Sequence, residues 1–241
     1  MKWRKSKDRQ GSWIVNRRMK TELATAVSLE PTDKPSGRSM QARGRARRAE
    51  LLSAARRMLD HGSLDKISMS AVAEAAGIPL SSAYHFFGDI SDLWKELART
   101  IASQQASEDL DLPRVSSWQE LIKASLVHHQ TAFNSDPAAR KLMLGPHTPA
   151  DIKNAACKED YRFGTALWIA VRSQFNLPEL ADSRVLFFKA LLIADVFFSL
   201  SVSEHDRVTD EALSEAVLAV TSYLSVYLPN QLAQVSRDSD G

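Results

Sequence analysis

Apolar residues recur at helical spacing from residue 43 to about residue 228, without a convincing run of strict alternation. Residues three and four positions apart share one face of an α-helix, whereas residues two apart share one face of a strand. The pattern therefore predicts an all-α protein. The predicted helices span 45–61, 68–76, 79–87, a stretch opening at 91, 117–134, 138–144, 150–176, 180–203 and 210–228.

A tight turn is predicted between the second and third helices. Ser68 is the type of residue that caps a helix N-terminus, and Pro79 suits the first turn of the helix that follows. Between them, Gly77 can adopt a positive φ, while Ala73 and Ala76 are small enough for two helix backbones to approach closely. These signals predict two short helices that cross at a steep angle.

The third predicted helix has a small, mostly polar outer surface. Ala83 and Phe87 lie one turn apart and are expected to face inward. The remaining side chains point outward or to the rim and form a surface suited to a DNA groove. They are Leu80, Ser81, Ser82, Tyr84 and His85.

About fifty residues around this turn resemble the TetR family of repressors, in order and at the family's spacing. The matching positions are Glu50-Leu51-Leu52 with Ala54-Ala55, Ile67-Ser68-Met69 with Val72-Ala73 and Ala76-Gly77-Ile78, then Tyr84-His85-Phe86-Phe87-Gly88 and Leu93. The resemblance implies an N-terminal helix-turn-helix DNA-binding domain and a larger C-terminal helical domain for ligand binding and dimerisation. It also implies a homodimeric repressor on a palindromic operator in double-stranded DNA, released by a small-molecule effector.

The resemblance assigns individual roles within the DNA-binding unit. Ser68 and Ser70 would bind phosphate through hydroxyl and amide donors, and Leu80, Ser81 and Ser82 would face base edges. Tyr84 would donate its phenol to phosphate, and His85 would contact phosphate or a base. From the residues alone, Tyr84 can instead pack half-buried on the second helix, His85 can simply be exposed, and Leu80 can belong to the core.

Charge is unevenly distributed, although the net charge is only +2. Residues 1–48 carry 14 Lys and Arg against 4 Asp and Glu, whereas no Lys or Arg occurs between Lys66 and Lys95. Many family members carry a lysine at the position of Ile90. Because phosphate contacts supply most non-specific DNA affinity, we expect other residues to replace that charge. The candidates are Arg43, Arg45, Arg47 and Arg48, with the tail before them.

The predicted domains are a basic, disordered arm (1–41), the helix-turn-helix domain (42–92), a helical effector-binding and dimerisation domain (93–230) and a tail (231–241). Two apolar C-terminal helices are expected either to pack inside the monomer or to form a four-helix dimer interface, which we favour. Asp195 lies within the first of them and is expected to be paired or capped. The predicted interface residues are Phe187, Leu191, Phe198, Leu213, Val217, Val220, Leu224 and Tyr227.

Aromatic and apolar side chains of the C-terminal domain are candidates for an effector cavity, since gaps between helices are common ligand sites. The alternative for each is ordinary core. The candidates are Trp118, Leu121, His128, Phe133, Met143, Trp168 and Phe175.

Other classes of function find little support. We expect no metal, because His128, His129, His147 and Cys157 match no zinc spacing. We expect no cofactor and no enzyme, because the chain has no Gly-rich phosphate loop, nucleophile elbow or His-Glu-x-x-His pair. Without a signal peptide or membrane segment, the expected location is the cytoplasm, at the nucleoid when bound to DNA. An architectural DNA-binding protein of the same fold, without an effector, remains an alternative.

Overall fold

The structure, a computed structural model, describes residues 37–107, 112–146 and 148–235. All regular elements in these ranges are helical, which confirms the all-α prediction. The helices are α1 (Gly37–His61), α2 (Met69–Ala75), α3 (Leu80–Phe86), α4 (Ile90–Ser107), α5 (Trp118–Ser135), α6 (Pro137–Ala139), α7 (Ala150–Gln174), α8 (Ser183–His205) and α9 (Asp210–Ser225).

The chain divides into Met1–Gln41 and Ala42–Gly241, and the second unit is described below. The predicted disordered arm lies outside the described residues up to residue 36. Helix α1 begins at Gly37, eight residues before the predicted start at residue 45. The prediction was late because this first part of α1 carries mostly polar and basic side chains, which give no apolar stripe.

The turn between α2 and α3 has the predicted geometry. The Ser68 hydroxyl accepts a hydrogen bond of 3.2 Å from the backbone N–H of Ala71, which caps α2. Gly77 has a φ of +64°, and the N–H of Ile78 donates to the carbonyl of Ala73 at 2.9 Å. Pro79 precedes α3 as its N-terminal cap. These local bonds fix the angle at which α3 leaves α2.

One continuous apolar core joins the two predicted folded domains. It extends from Leu51 of α1, through Trp94 and Ile101 of α4, to Leu224 of α9. Helix α4 packs along α7, and α8 packs between α7 and α9. Since α4 contributes to both parts of the core, the DNA-binding unit is attached to the helical body through a rigid element.

A π-helical turn, Arg140–Leu144, replaces the predicted continuous helix over 138–144. It ends at Gly145, where an added Cβ would lie only 2.1 Å from the carbonyl oxygen of Lys141. That carbonyl accepts a bond of 2.8 Å from the Thr148 hydroxyl instead of continuing a helical ladder. Glycine is therefore required here by close backbone approach.

Helix α8 is the one helix in the described part of the chain that is long and apolar enough to cross a membrane. Half of its most apolar 18-residue window is buried inside the protein, against α7 and α9. A central core helix meets the same criteria of length and composition. Its place in the bundle accounts for the buried half of its apolar side chains.

The predicted tail from residue 231 is partly packed onto the body. The Asn176 N–H donates to the carbonyl of Ala233 at 2.8 Å, and the Val235 N–H donates to Gln174 at 2.9 Å. These bonds form an antiparallel bridge between Phe175 and Gln234. The packed chain thus extends to residue 235, because the end of α7 offers unpaired backbone groups.

Candidate nucleic-acid interface and ligand cavity

The outer surface of α3 carries the side chains that the sequence predicted to face outward. Leu80 is 40% exposed and Tyr84 is 50% exposed, so neither belongs to the core, and His85 is exposed as well. Ala83 and Phe87 are buried, as predicted. Ser81 is exposed and Ser82 is half-buried at the rim. The helix therefore presents a narrow surface on one side and is anchored on the other.

The two serines predicted at phosphate have different environments. Ser68 is exposed, and its hydroxyl caps α2. Ser70 is exposed in the first turn of that helix. Backbone N–H groups at a helix N-terminus can bind an anion in this position, and the phosphate role of both residues remains a prediction.

The four arginines proposed to supply positive charge all lie on α1, but they are not equivalent. Arg43, Arg45 and Arg47 are exposed. Arg48 is half-buried: its guanidinium lies 3.0 Å from the Glu96 carboxylate and 5.2 Å from the centre of the Phe87 ring. Arg48 therefore links α1 to α4 and to the end of α3, and the prediction that it serves as a DNA-contacting charge is weakened by these internal contacts.

The N-terminal part of α1 passes close to α3. A Cβ added at Gly44 would lie 3.9 Å from the Phe86 ring. The exposed arginines of α1 are thus carried by a helix that contacts the C-terminal end of α3. This position allows positive charge from α1 to supplement a recognition unit that carries none of its own.

The nearest lysine after the recognition helix is engaged elsewhere. The Lys95 ammonium lies 2.9 Å from the Asp151 carboxylate of α7 and 3.5 Å from Asp92. The hydrogen bond to Asp151 is the main reason why the pKa of Lys95 is raised, and the same bond lowers the pKa of Asp151. This pair ties α4 to α7.

A partly open cleft lies between α5, the π-helical turn, α7 and α8. Its void is small, with a cavity volume of about 40 Å³. Among the described residues its wall is mainly apolar, and the polar side chains of Gln105, His129 and Asp195 also face it. The main apolar lining residues are Leu126, Phe133, Met143, Phe163, Phe188 and Phe198.

One ring nitrogen of His129 is held by a backbone hydrogen bond at the cleft. Its Nδ1 lies 2.7 Å from the carbonyl oxygen of Ser125, which can only accept, so Nδ1 carries the hydrogen. Burial lowers the pKa of His129 below its usual value, which disfavours the protonated ring. The other ring nitrogen, Nε2, is therefore a hydrogen-bond acceptor.

Only some of the predicted effector residues line this cleft. Phe133 and Met143 do. Trp118, Leu121 and Phe175 are core residues, and the Trp118 indole donates to the carbonyl of Pro229 at 2.9 Å. Their burial favours the alternative of ordinary core, because apolar spacing identifies buried residues without distinguishing a filled core from a cavity wall.

Two further predicted effector residues, His128 and Trp168, are not among the residues that line this cleft. His128 is exposed and lines a shallow outer groove, since adjacent helical residues point about 100° apart. Trp168 is half-buried, with the guanidinium groups of Arg172 and Arg184 at 4.7 and 5.7 Å from its ring. His129 lines the cleft but was not predicted to do so. It follows Leu126 by three residues and precedes Phe133 by four, and this helical spacing in the sequence could have identified it.

Among the described residues, no three His, Cys, Asp or Glu side chains are grouped as metal ligands. The rings of His128 and His129 lie 5.9 Å apart, nearly perpendicular to one another. His147 and the side chain of Cys157 lie outside the described part of the chain.

The predicted dimer interface needs correction. Six of its eight residues are buried in the chain's own core, Val217 is half-buried, and Tyr227 is 47% exposed. The apolar pattern reflected the packing of α8 and α9 on one another and on their neighbours. The six buried residues are Phe187, Leu191, Phe198, Leu213, Val220 and Leu224.

A different apolar surface of the same two helices faces outward. Leu192, Val196 and Leu200 follow one another at intervals of four along α8, and Leu218 and Val226 are exposed on and just after α9. The exposed fractions of Val196, Leu200 and Leu218 are 67%, 57% and 61%. Clustered exposed apolar side chains commonly mark an interaction surface.

Comparison with known proteins agrees with this architecture. Residues 51–97 match the family model for bacterial regulatory proteins of the tetR family. A TetR transcriptional regulator from Rhodococcus sp. RHA1 is 18% identical, with 76% of this chain and 97% of that chain covered, and a TM-score of 0.60. A TetR-family transcriptional regulator from Streptomyces coelicolor is 21% identical, with coverage of 76% and 99% and a TM-score of 0.57.

A third solved structure is that of the transcriptional regulator FadR from Bacillus subtilis in complex with stearoyl-CoA. It is 14% identical, with 76% of this chain and 98% of that chain covered, and a TM-score of 0.52. A comparison with curated protein sequences finds no match.

The exposed helix α3, its capped partner α2 and the helical body form a helix-turn-helix unit attached to a larger helical domain, which is the fold of these solved transcriptional regulators. The match of residues 51–97 to the tetR family of bacterial regulatory proteins confirms the resemblance found in the sequence. Over the remaining helices, the similarity to the solved regulators is one of fold.

Proposed function

We propose that the protein is a repressor that binds a palindromic operator as a homodimer and leaves it when a small molecule occupies the cleft. The observation that carries this proposal is the exposed surface of α3, held at a fixed angle by the Gly77 turn, within the segment that matches the family. A helix presented in this way fits the major groove, with its N-terminal residues toward base edges.

Leu80 is the apolar member of this surface. Its exposed fraction of 40% makes it available to a thymine methyl group. Tyr84 and His85 lie beyond it on the same short helix and would contact phosphate or a base. Replacement of Leu80 by Ala should relax discrimination at one T·A position without a large change in stability.

The direct test is to select binding sites for the purified protein from fragments of the source genome. We expect an enriched palindrome with half-sites about one helical turn apart. Enrichment of many unrelated loci without a shared motif would favour an architectural DNA-binding protein. No specific enrichment would contradict the proposal.

The dimer is supported by the outward stripe of α8 together with Leu218 of α9. A helix pair with such exposed apolar groups fits a symmetric four-helix interface with a second copy of the chain. Replacement of Val196 by Glu would bury two charges at that interface and should yield a monomer by light scattering after size exclusion. Ile169, which is 51% exposed on α7, offers the control Ile169→Glu. An unchanged dimer in Val196→Glu would rule out this surface.

Release by an effector is supported by the cleft at the centre of the helical body. Cavities lined by aromatic side chains and a few polar groups are typical small-molecule sites. Its small void requires a ligand to displace wall side chains such as Met143, which belongs to the π-helical turn. Binding can therefore change the shape of the body that carries the DNA-binding unit.

A further inference from the structure

The helix-turn-helix unit lacks the side chains that identify purines. Residues 67–94, which span α2, the turn, α3 and the start of α4, contain no Arg, Lys, Asn or Gln. In the major groove, arginine and lysine pair with guanine, and asparagine and glutamine pair with adenine, each through two hydrogen bonds. The unit therefore has no side chain that can recognise a purine in this way.

Leu80 differs from its neighbours on the exposed face of α3 because it is apolar. It is 40% exposed, and Tyr84, which is 50% exposed, follows it one helical turn later on the same side. The carbonyl of Pro79 accepts hydrogen bonds from the backbone N–H groups of Ser82 and Ala83, at 2.9 and 3.1 Å. Since Ala83 is also buried in the core, the backbone that carries Leu80 is fixed before DNA binds. An exposed leucine held in this way gains free energy when an apolar group of the partner covers it.

The apolar group that the major groove offers is the methyl group at C5 of a pyrimidine. Thymine carries it, uracil and cytosine lack it, and 5-methylcytosine regains it, with an amino group in place of the O4 of thymine. The Leu80 side chain has no hydrogen-bond donor or acceptor, so it cannot distinguish that amino group from a carbonyl oxygen. The hydroxyl of the exposed Ser81 can donate or accept, and it is equally indifferent. Leu80 can therefore sense the methyl group without sensing which base pair carries it.

We infer that Leu80 reads a 5-methylpyrimidine in each half-site, rather than a T·A pair as such. Thymine and 5-methylcytosine are then equivalent opposite Leu80, and uracil and unmodified cytosine are both disfavoured. The inference rests on the proposed binding of an operator by α3. It adds that the affinity of the protein for DNA responds to cytosine methylation wherever cytosine occupies this position.

The position is located on the operator obtained by genomic selection. Each thymine of the half-site is replaced in turn by deoxyuridine, in both half-sites at once, and the affinity of the full-length protein is measured by fluorescence anisotropy. Burial of one methyl group changes affinity by about fourfold, so we expect one thymine whose replacement in both half-sites costs about fifteenfold.

Four duplexes then separate the methyl group from the base pair. They carry T·A, U·A, 5-methylcytosine·G or C·G at the located position and are otherwise identical. We expect thymine and 5-methylcytosine to bind about equally, while uracil and cytosine are each weaker by about fifteenfold, as the loss of two methyl contacts implies.

Two variants at Leu80 assign the effect to this side chain. Leu80→Ala should bind all four duplexes about equally, whereas Leu80→Met keeps a flexible apolar side chain and should retain the preference for the methylated bases. An effect of the methyl group on the DNA alone would persist in Leu80→Ala. Ile169→Ala, at an exposed position of α7, is the matched control and should leave the four affinities unchanged.

The outcomes separate this inference from the function on which it rests. The inference is overturned if no thymine methyl group matters, if 5-methylcytosine binds as weakly as cytosine, or if the preference survives in Leu80→Ala. In each of these cases the operator is still bound, and the proposed regulator stands. If the genomic selection yields no operator, the proposed function fails and the inference fails with it.

Discussion

Lys141 of the π-helical turn contacts the C-terminal end of α1 in the DNA-binding unit. Its ammonium donates to the carbonyl oxygens of Leu59, Asp60 and Gly62 at 3.0, 3.2 and 2.9 Å. These carbonyls lie at the C-terminal end of α1, where a helix leaves acceptors without internal partners. Replacement by Met removes the charge and all three bonds while keeping a flexible apolar stem of similar length.

The expected loss of stability follows from these contacts. A hydrogen bond to a charged group contributes about 1.5–3 kcal/mol net, and a cation at a helix C-terminus contributes about 0.3–1 kcal/mol. One ammonium serves three acceptors, and water can reach the half-buried Asp60 and Gly62 when it is removed. We therefore expect Lys141→Met to lower the free energy of unfolding by about 2–3 kcal/mol, or the melting temperature by roughly 5–10 °C.

The assay is thermal unfolding of the full chain followed by circular dichroism, at fixed protein concentration. Lys123→Met, at an exposed position of α5, is the matched control and should change stability by less than about 0.5 kcal/mol. Hydrogen exchange should show faster opening of the last turn of α1 in Lys141→Met. If the melting temperature falls no further than in the control, water satisfies the three carbonyls as well as the ammonium does, and the reasoning is wrong.

Three further predictions concern charge, backbone and pH. The double variant Arg45→Gln and Arg47→Gln should reduce the slope of log affinity against log salt by about 0.9 for each phosphate that these arginines neutralise. The slope is measured by operator titration at several salt concentrations. An unchanged slope would exclude both arginines as phosphate contacts. Gly77→Ala should destabilise the protein by about 1–2 kcal/mol in denaturant unfolding, because the backbone has a φ of +64° while the space around it is open. Burial lowers the pKa of His129 in the folded protein, so the unfolded chain binds more protons and stability should fall as pH drops below about 6.5. The variant His129→Leu should flatten this dependence of melting temperature on pH. An unchanged dependence would contradict burial of His129 as its cause.

The sequence predicted best where local chemistry decides the structure. Ser68 and Gly77 act through their own backbone bonds and φ, so they fix the recognition unit without help from distant residues. Helix α8 is a contrasting case, because it is apolar on several sides and its spacing does not tell which side meets the rest of the chain. Phe187 was therefore assigned to an interface, although it is buried, and the exposed Val196 was missed.

The cleft was hard to predict for a related reason. Side chains that line a cavity and side chains that fill a core obey the same helical spacing, so Trp118 and Phe133 look alike in the sequence. They differ in what lies opposite: the Trp118 indole reaches the carbonyl of Pro229, whereas Phe133 meets open space. Only the packing of sequence-distant helices makes this distinction.

The π-helical turn lies between the cleft and the C-terminal end of α1. Met143 lines the cleft, and Lys141, two residues earlier, holds the end of α1. At the start of the same segment Asp136 caps α6 and forms an ion pair with Arg56 of α1. A ligand that displaces Met143 must act on a short, unusually wound element that also holds the end of α1 through Lys141. We therefore expect Lys141→Met to weaken the effect of a cleft ligand on operator binding as well as stability.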